Sequence, residues 1–150
     1  MLGDFLMKIE MIDDDRFVVY YSFILDDILE YDIEDIKVFI QLLVVRLKNK
    51  YNLDIEGYYH LDVYVNKILI LEFYKIDEYS KKVDLNIVIH LDSTILVEFD
   101  DYFINSKKKY FYKDKYYLKI EDIDFLKYIE FIRFVYDKEA TNILNNAKIV

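Results

Sequence analysis

The two histidines of the chain, His60 and His90, are the side chains whose type is best suited to chemistry. Imidazole can coordinate a metal ion or transfer a proton. An aspartate follows two residues after each histidine, at Asp62 and Asp92. Every second side chain of a strand lies on the same face, so each histidine shares a face with its aspartate. These four residues are therefore candidates for the site of a small hydrolase or a metal-dependent enzyme.

Strands are predicted around both histidines because apolar and polar residues alternate over residues 59–65 and 83–92. The histidines fall on the outward face of each predicted strand. If four strands follow one another in a meander, one strand separates that of His60 from that of His90. Their backbones then lie about 10 Å apart, so the side chains need not meet. Two ordinary exposed histidines are the alternative.

Other runs of like charge could bind ions or nucleic acid, but none has a spacing that identifies such a site. Three acidic runs, Asp13-Asp14-Asp15, Asp26-Asp27 and Asp100-Asp101, have neither the spacing nor the glycine of a calcium loop. They are typical of turns and helix caps. The basic run Lys107–Lys109 precedes three aromatic residues, a pattern that can bind single-stranded nucleic acid but also suits a solvated loop.

Composition excludes several classes of protein. The chain is 55% hydrophobic, a content that is too high for a disordered protein. Its net charge of −9 disfavours direct binding to nucleic acid or to an anionic membrane. Cysteine is absent, which fits the reducing cytoplasm. Only two glycines are present, so a phosphate loop or dinucleotide fingerprint is not expected. No cofactor and no metal is predicted.

The elements that would position these residues are hairpins and two helices. Hairpins are predicted around residues 13–15, 66–67 and 113–114. Helix A is predicted from an N-cap at Asp32 to about Tyr51, with one apolar stripe for the core and a second one, Val38, Leu42 and Val45. Helix B is predicted from Asp122 through at least Tyr136, and the tail ATNILNNAKIV either extends it or adds a short turn.

The predicted fold class is α+β: an antiparallel sheet built from hairpins and a meander, with two helices packed on one face. A hairpin followed by a helix occurs at both ends of the chain, in residues 8–47 and 109–136, so two similar halves are an alternative to chance likeness. We expect a single domain over residues 1–150, with an internal division, if there is one, near residues 77–82.

Apolar surface is in excess in the middle of the chain. Ile68, Ile70 and Tyr74 lie on the face opposite that of Leu69, Leu71 and Phe73 in the predicted strand. Either a second layer of the same chain covers this face, or another protein does. We therefore add Ile68, Ile70 and Tyr74 to the candidate surface residues, and a homo-oligomer is one possible arrangement.

Residues 7–74 resemble the N-terminal part of MecA-type adaptor proteins. The resemblance rests on the opening MKIEMIDDDRFVVY and on Ile55-Glu56-Gly57 followed by the strands LDVYV and LILEF, with fainter echoes in LVEFDDY and YKDKYYL. The long acidic linker of that family is missing. The resemblance implies a non-enzymatic adaptor that captures a client protein and docks on a Clp-family unfoldase.

The sequence thus favours a cytoplasmic, non-catalytic module for protein–protein interaction. Its net charge of −9 also allows an acidic inhibitor that mimics nucleic acid. The enzyme that uses His60 or His90 is the third hypothesis. No apolar run approaches the about 20 residues of a membrane span, so a membrane partner is not expected.

Overall fold

The computed structural model describes residues 6–22, 32–77, 82–100 and 108–150. Several sequence features lie outside these ranges, namely Asp26-Asp27, Asp101, Lys107 and most of the segment 77–82. The chain divides into two compact units. Unit 1 comprises residues 1–63 and 68–90, and unit 2 comprises residues 64–67 and 91–150. The single domain and the internal division near residues 77–82 both stay predictions.

Unit 1 is built on a sheet in the order β1-β2-β4-β3-β5. The strands are β1 (Leu6–Met11), β2 (Arg16–Ser22), β3 (Gly57–Val65), β4 (Leu69–Asp77) and β5 (Val83–His90). An ion pair stabilises the turn between β1 and β2: Arg16 Nε donates to Asp13 Oδ2 at 2.9 Å. The hairpin predicted at residues 13–15 is confirmed, as is the one at residues 66–67.

One helix, α1 (Ile33–Lys50), packs in unit 1 as predicted for helix A. Asp32 caps it: its Oδ1 accepts the backbone N–H of Asp35 at 2.9 Å. The helix buries one stripe, which consists of Ile36, Ile40, Leu43, Val44 and Leu47. Helical periodicity and a carboxylate cap are local signals, which is why the sequence locates this element.

The place of β5 differs from the predicted meander. β5 is hydrogen-bonded to β3, whereas the meander would place it beside β4. The amide of Gly57, at the start of β3, donates to the carbonyl of Lys82, just before β5, at 3.2 Å. The two strands therefore begin side by side and run in the same direction. This corrects the expectation that a strand separates His60 from His90.

Unit 2 contains the second sheet, in the order β10-β7-β8-β6-β9. Its elements are β6 (Ile95–Phe99), β7 (Tyr110–Tyr112), β8 (Lys115–Lys119), β9 (Arg133–Tyr136), α2 (Asp137–Asn146) and β10 (Lys148–Ile149). The predicted hairpin at residues 113–114 is present as β7 and β8. Lys113 and Asp114 both have positive φ, 49° and 64°, as a tight type I′ hairpin turn requires.

The prediction of helix B is wrong. Residues Ile120–Asp122 and Phe125–Phe131 form 3₁₀ turns, and the next residues form β9, which pairs antiparallel with β6. Phe134 and Val135 are consecutive and both buried, which suits a strand covered on two faces. The helix of this region, α2, begins only at Asp137. The predicted order of a hairpin followed by a helix, in residues 8–47 and 109–136, therefore corresponds to different structures at the two ends of the chain.

The basic run is not a solvated loop throughout. Lys109 is only 3% exposed. Its backbone exchanges two hydrogen bonds with Val150, one of them at 2.9 Å from the Val150 N–H to the Lys109 carbonyl. Pairing with the C-terminal residue next to β10 therefore places Lys109 inside unit 2.

The α+β fold class, with hairpins in antiparallel pairing, is confirmed. Within the described ranges, no helix is long and apolar enough to span a membrane.

Candidate functional site

Adjacent pairing of β3 and β5 brings His60, Asp62 and His90 together on one face of the sheet of unit 1. Asp62 lies between the two imidazoles: its Oδ2 is 3.1 Å from His60 Nε2, and its Oδ1 is 2.9 Å from His90 Nε2. On the other side of the His60 ring, Nδ1 is 3.3 Å from Asn86 Nδ2. We call His60, Asp62, Asn86 and His90 the histidine cluster.

Strand parity explains why these side chains share a face. Burial alternates along the first part of β3, where Tyr59, Leu61 and Val63 are buried while His60 and Asp62 are half-exposed. The outward parity predicted for His60 and Asp62 is thus present. Contacts run from His60 to Asn86 and from Asp62 to His90, ascending along both strands. This register agrees with the parallel pairing of β3 and β5.

The contacts of His60 with Asn86 and Asp62 are compatible with one tautomer of its ring. If the amide of Asn86 donates to His60 Nδ1, the ring carries its proton on Nε2 and donates it to Asp62. His90 Nε2 donates to the other oxygen of the same carboxylate. Asp62 therefore contacts both imidazoles, one through each of its carboxylate oxygens.

The histidine cluster is open to water. The side chains of His60, Asp62 and His90 are 33%, 24% and 41% exposed. The Nε2 atoms of both imidazoles point toward the carboxylate of Asp62, which would itself have to be a ligand of a metal ion bound by the two histidines. In the part of the chain that the structure describes, no group of three or more histidine, cysteine, aspartate or glutamate side chains is placed to hold a metal ion. The arrangement suits proton exchange better than metal binding.

The remaining candidate residues lie elsewhere. Asp92 belongs to unit 2, where it occupies the turn after β5 with a φ of 50°. Ile68 and Ile70 are fully buried, so their selection as surface residues is corrected: the apolar face of β4 is covered at these positions. Tyr74 is 50% exposed and remains accessible.

The outward face of α1 exposes three apolar side chains. Val38, Leu42 and Val45 are 56%, 65% and 54% exposed. They form the second stripe that was predicted for helix A, which we call the outer stripe. A helix with apolar side chains on opposite faces exposes more hydrophobic surface than its own core requires.

A groove lies between α1 and β5, beside the outer stripe. Its volume is about 490 Å³, and its residues come from both elements: Gln41, Val44, Val45 and Lys48 of α1, and Lys82, Val83, Asp84 and Leu85 at the start of β5. β5 is the edge strand of its sheet. Its inward residues Val83, Leu85, Ile87 and Ile89 are only half-buried. We call this feature the α1–β5 groove.

Unit 2 contains a polar network that sequence reasoning missed. Glu98 Oε2 accepts from Tyr117 Oη at 2.7 Å and from an Arg133 guanidinium nitrogen at 2.9 Å. The same nitrogen of Arg133 donates to Glu139, at the start of α2, at 2.8 Å. The only signal in the sequence is a glutamate inside the apolar strand ILVEF. We call Glu98, Tyr117, Arg133 and Glu139 the glutamate network.

The glutamate network shifts the pKa values of its members. Burial raises the pKa of Tyr117, and the hydrogen bond to Glu98 raises it further. Burial alone would also raise the pKa of Glu98, but the hydrogen bonds from Arg133 and Tyr117 outweigh it and hold this pKa below its ordinary value. Hydrogen bonds to Glu98 and Glu139 raise the pKa of Arg133. The network is therefore a stable ionic link between strands and helix.

In comparisons with known proteins, no family model, no curated protein and no solved structure matches this chain.

Proposed function

We propose that this chain is a cytoplasmic module for protein–protein interaction that binds an extended segment of another protein in the α1–β5 groove. The observation that supports this function is the position of the groove, between an edge strand and a helix whose adjoining face is apolar. Extended segments bind to such edges by adding a strand, with alternate side chains entering the neighbouring groove.

The size and lining of the groove favour an apolar side chain with polar neighbours. Its volume of about 490 Å³ lies within the range of about 300–1,000 Å³ found for ligand pockets. Val44, Val45 and Leu85 supply apolar contacts, while Lys48 and Asp84 add opposite charges. Backbone hydrogen bonds to β5 would supply affinity, and the apolar contacts would select the side chains of the partner.

A pair of variants in β5 tests this function. Leu85→Lys places a charge in the groove, whereas Val88→Lys places the same charge on the opposite face of the same strand. Tagged wild-type protein and both variants are incubated with lysate of the host, and the captured proteins are identified by mass spectrometry. A partner that binds wild type and Val88→Lys but not Leu85→Lys is expected, and its binding is then repeated with purified proteins.

Folding must be separated from binding in this experiment. Far-ultraviolet circular dichroism shows whether Leu85→Lys keeps the native secondary structure. A second variant, Val83→Trp, fills the groove from the same face of β5 as Leu85 and should abolish the same binding. A partner that binds all variants equally well contradicts the groove as the binding site.

The identity and salt dependence of the partner distinguish the forms of this function. Recovery of a Clp-family unfoldase would support the adaptor function that the resemblance to MecA-type proteins implies. An inhibitor that mimics nucleic acid would bind a basic protein, and its affinity would fall steeply with salt. Binding in the apolar groove would depend little on salt.

A second candidate function follows from the histidine cluster. Two imidazoles on one carboxylate can act as general acid and base, the chemistry of a small hydrolase. Purified wild type, His60→Ala and His90→Ala would be compared on fluorogenic esters and phosphoesters. Hydrolysis by wild type that falls about 100-fold or more in both variants would support this function. Equal rates in all three proteins would exclude a role of the cluster in any hydrolysis detected.

A further inference from the structure

The outer stripe of α1 has the spacing of a helix–helix contact. Val38, Leu42 and Val45 are separated by four and then three residues, so they form one line along the helix. All three are more than half exposed. On one side, this line is bordered by Glu34, Gln41 and Lys48, each seven residues from the next, and the last two also line the α1–β5 groove. The border is therefore acidic at its start, neutral in the middle and basic at its end.

This border is complementary to itself in one orientation. When two such helices pack antiparallel, corresponding borders face each other, and residues equally far from the central residue meet. With Gln41 at the centre, Glu34 faces the partner subunit's Lys48. Val38 then lies near the partner subunit's Val45, and the two copies of Leu42 meet close to the two-fold axis.

We infer that α1 pairs antiparallel with α1 of a second copy of this chain, with the outer stripes in contact. A two-fold interface requires a surface that matches itself, and the order of charges around Gln41 meets this condition. The local ion pair of Glu34 does not prevent it, because its Oε1 is 3.7 Å from Lys37 Nζ and the Glu34 side chain is 82% exposed. This self-association shares Gln41, Val45 and Lys48 with the α1–β5 groove, so a dimer and a bound segment would compete for part of the same surface. Leu42 belongs to the dimer contact alone, and Leu85 belongs to the groove alone.

The expected dimer is weak. α1 has 18 residues and is about 27 Å long, and each copy contributes three apolar side chains to the contact. This is a small interface, and small interfaces are typical of transient association. We expect a dissociation constant between about 1 and 100 μM.

Sedimentation equilibrium over this concentration range measures the dimer directly. Leu42→Glu puts like charges near the two-fold axis and should weaken dimerisation at least about tenfold. Val88→Glu carries the same change on the outward face of β5 and should dimerise as wild type does. A wild-type protein that stays monomeric throughout the range overturns the inference, and so does a dimer that Leu42→Glu leaves intact.

Mixing two charge variants tests the antiparallel orientation. Glu34→Lys and Lys48→Glu each create like charges at the facing positions, so neither variant should dimerise alone. An equimolar mixture restores opposite charges at both pairs and should form a mixed dimer. Each variant serves as the folding control of the other, because a misfolded chain would not associate on mixing. Absence of the mixed dimer, when both variants are folded by circular dichroism, contradicts the antiparallel pairing.

Measuring both partner capture and dimerisation in two variants separates this inference from the proposed function. Leu85→Lys should abolish capture of the partner and leave the dimer unchanged. Leu42→Glu should have the opposite effects. Loss of both properties in either variant would contradict the assignment of Leu85 to the groove and of Leu42 to the dimer contact.

Discussion

In the described part of each unit, a carboxylate on one strand accepts hydrogen bonds from two side chains, at least one of which lies on a neighbouring strand. In unit 1, Asp62 accepts from two histidines. In unit 2, Glu98 accepts from Tyr117 and Arg133. The two sites have similar connectivity, but the side chain of Glu98 is 14% exposed and that of Asp62 is 24% exposed.

The donors decide what each carboxylate can do. The pKa values of Tyr117 and Arg133 are both raised, so these groups keep their protons and Glu98 keeps its partners. Imidazole, in contrast, is the side chain that most readily exchanges a proton under physiological conditions. A carboxylate with two fixed donors stabilises a fold, whereas one with two histidines is also able to take part in chemistry. Three variants test this difference.

Glu98→Gln should cause the largest loss of stability. The glutamine amide cannot accept two charge-assisted hydrogen bonds, and it leaves Arg133 without one of its partners. We expect the free energy of unfolding at pH 7 to fall by about 2 kcal/mol in urea denaturation. Because the pKa of Glu98 is lowered, its contribution is complete above the ordinary value of 4.5 and is lost as the pH falls below it. The difference between wild type and variant should therefore shrink in acid.

Glu139→Gln is the matched control for this prediction. It removes a carboxylate from the exposed end of the same network, where the side chain is 54% exposed. The expected loss is below about 0.5 kcal/mol. Equal effects of the two substitutions would show that burial of Glu98 does not strengthen the network.

Tyr117→Phe should have an intermediate effect that depends on pH in the alkaline range. Loss of the hydrogen bond to Glu98 should cost about 1 kcal/mol at pH 7. The pKa of Tyr117 is raised, so the folded state holds this proton more tightly than the unfolded state does. Wild type therefore keeps its full stability below the ordinary value of 10.0 and loses part of it as the pH rises above that value.

Unfolding in urea between pH 8 and about pH 11 measures this dependence. Wild type should lose stability more steeply than Tyr117→Phe above pH 10.0. If Tyr117→Phe instead follows the wild-type curve, Tyr117 does not hold its proton more tightly in the folded state.

Local signals predicted most elements of unit 1. The cap at Asp32 and the periodicity of α1 belong to one helix, and the hairpin of β1 and β2 needs only a short acidic turn. The parity of His60 and Asp62 likewise follows from alternation in one strand. Such features depend on residues close in sequence, so one sequence is sufficient to predict them.

Features that depend on distant pairing were not predictable. Residues 122–136 have helical periodicity, but pairing of β9 with β6 outweighs it and makes Arg133–Tyr136 a strand. The contact between Asp62 and His90 depends on β5 lying next to β3, which no local pattern specifies. The glutamate network requires two strand pairings at once, from β6 to β8 and from β6 to β9.

Asp62→Asn should have the smallest effect on stability and the clearest effect on the histidines. Because the histidine cluster is open to water, we expect a loss below about 1 kcal/mol. The ring proton signals of both histidines should nevertheless change in NMR spectra, since Asp62 contacts both imidazoles. Asp84→Asn, on the same face of β5 as His90, should shift neither ring strongly. A change confined to His60 would mean that Asp62 does not reach His90, and β5 would then not lie next to β3 in the register on which the histidine cluster depends.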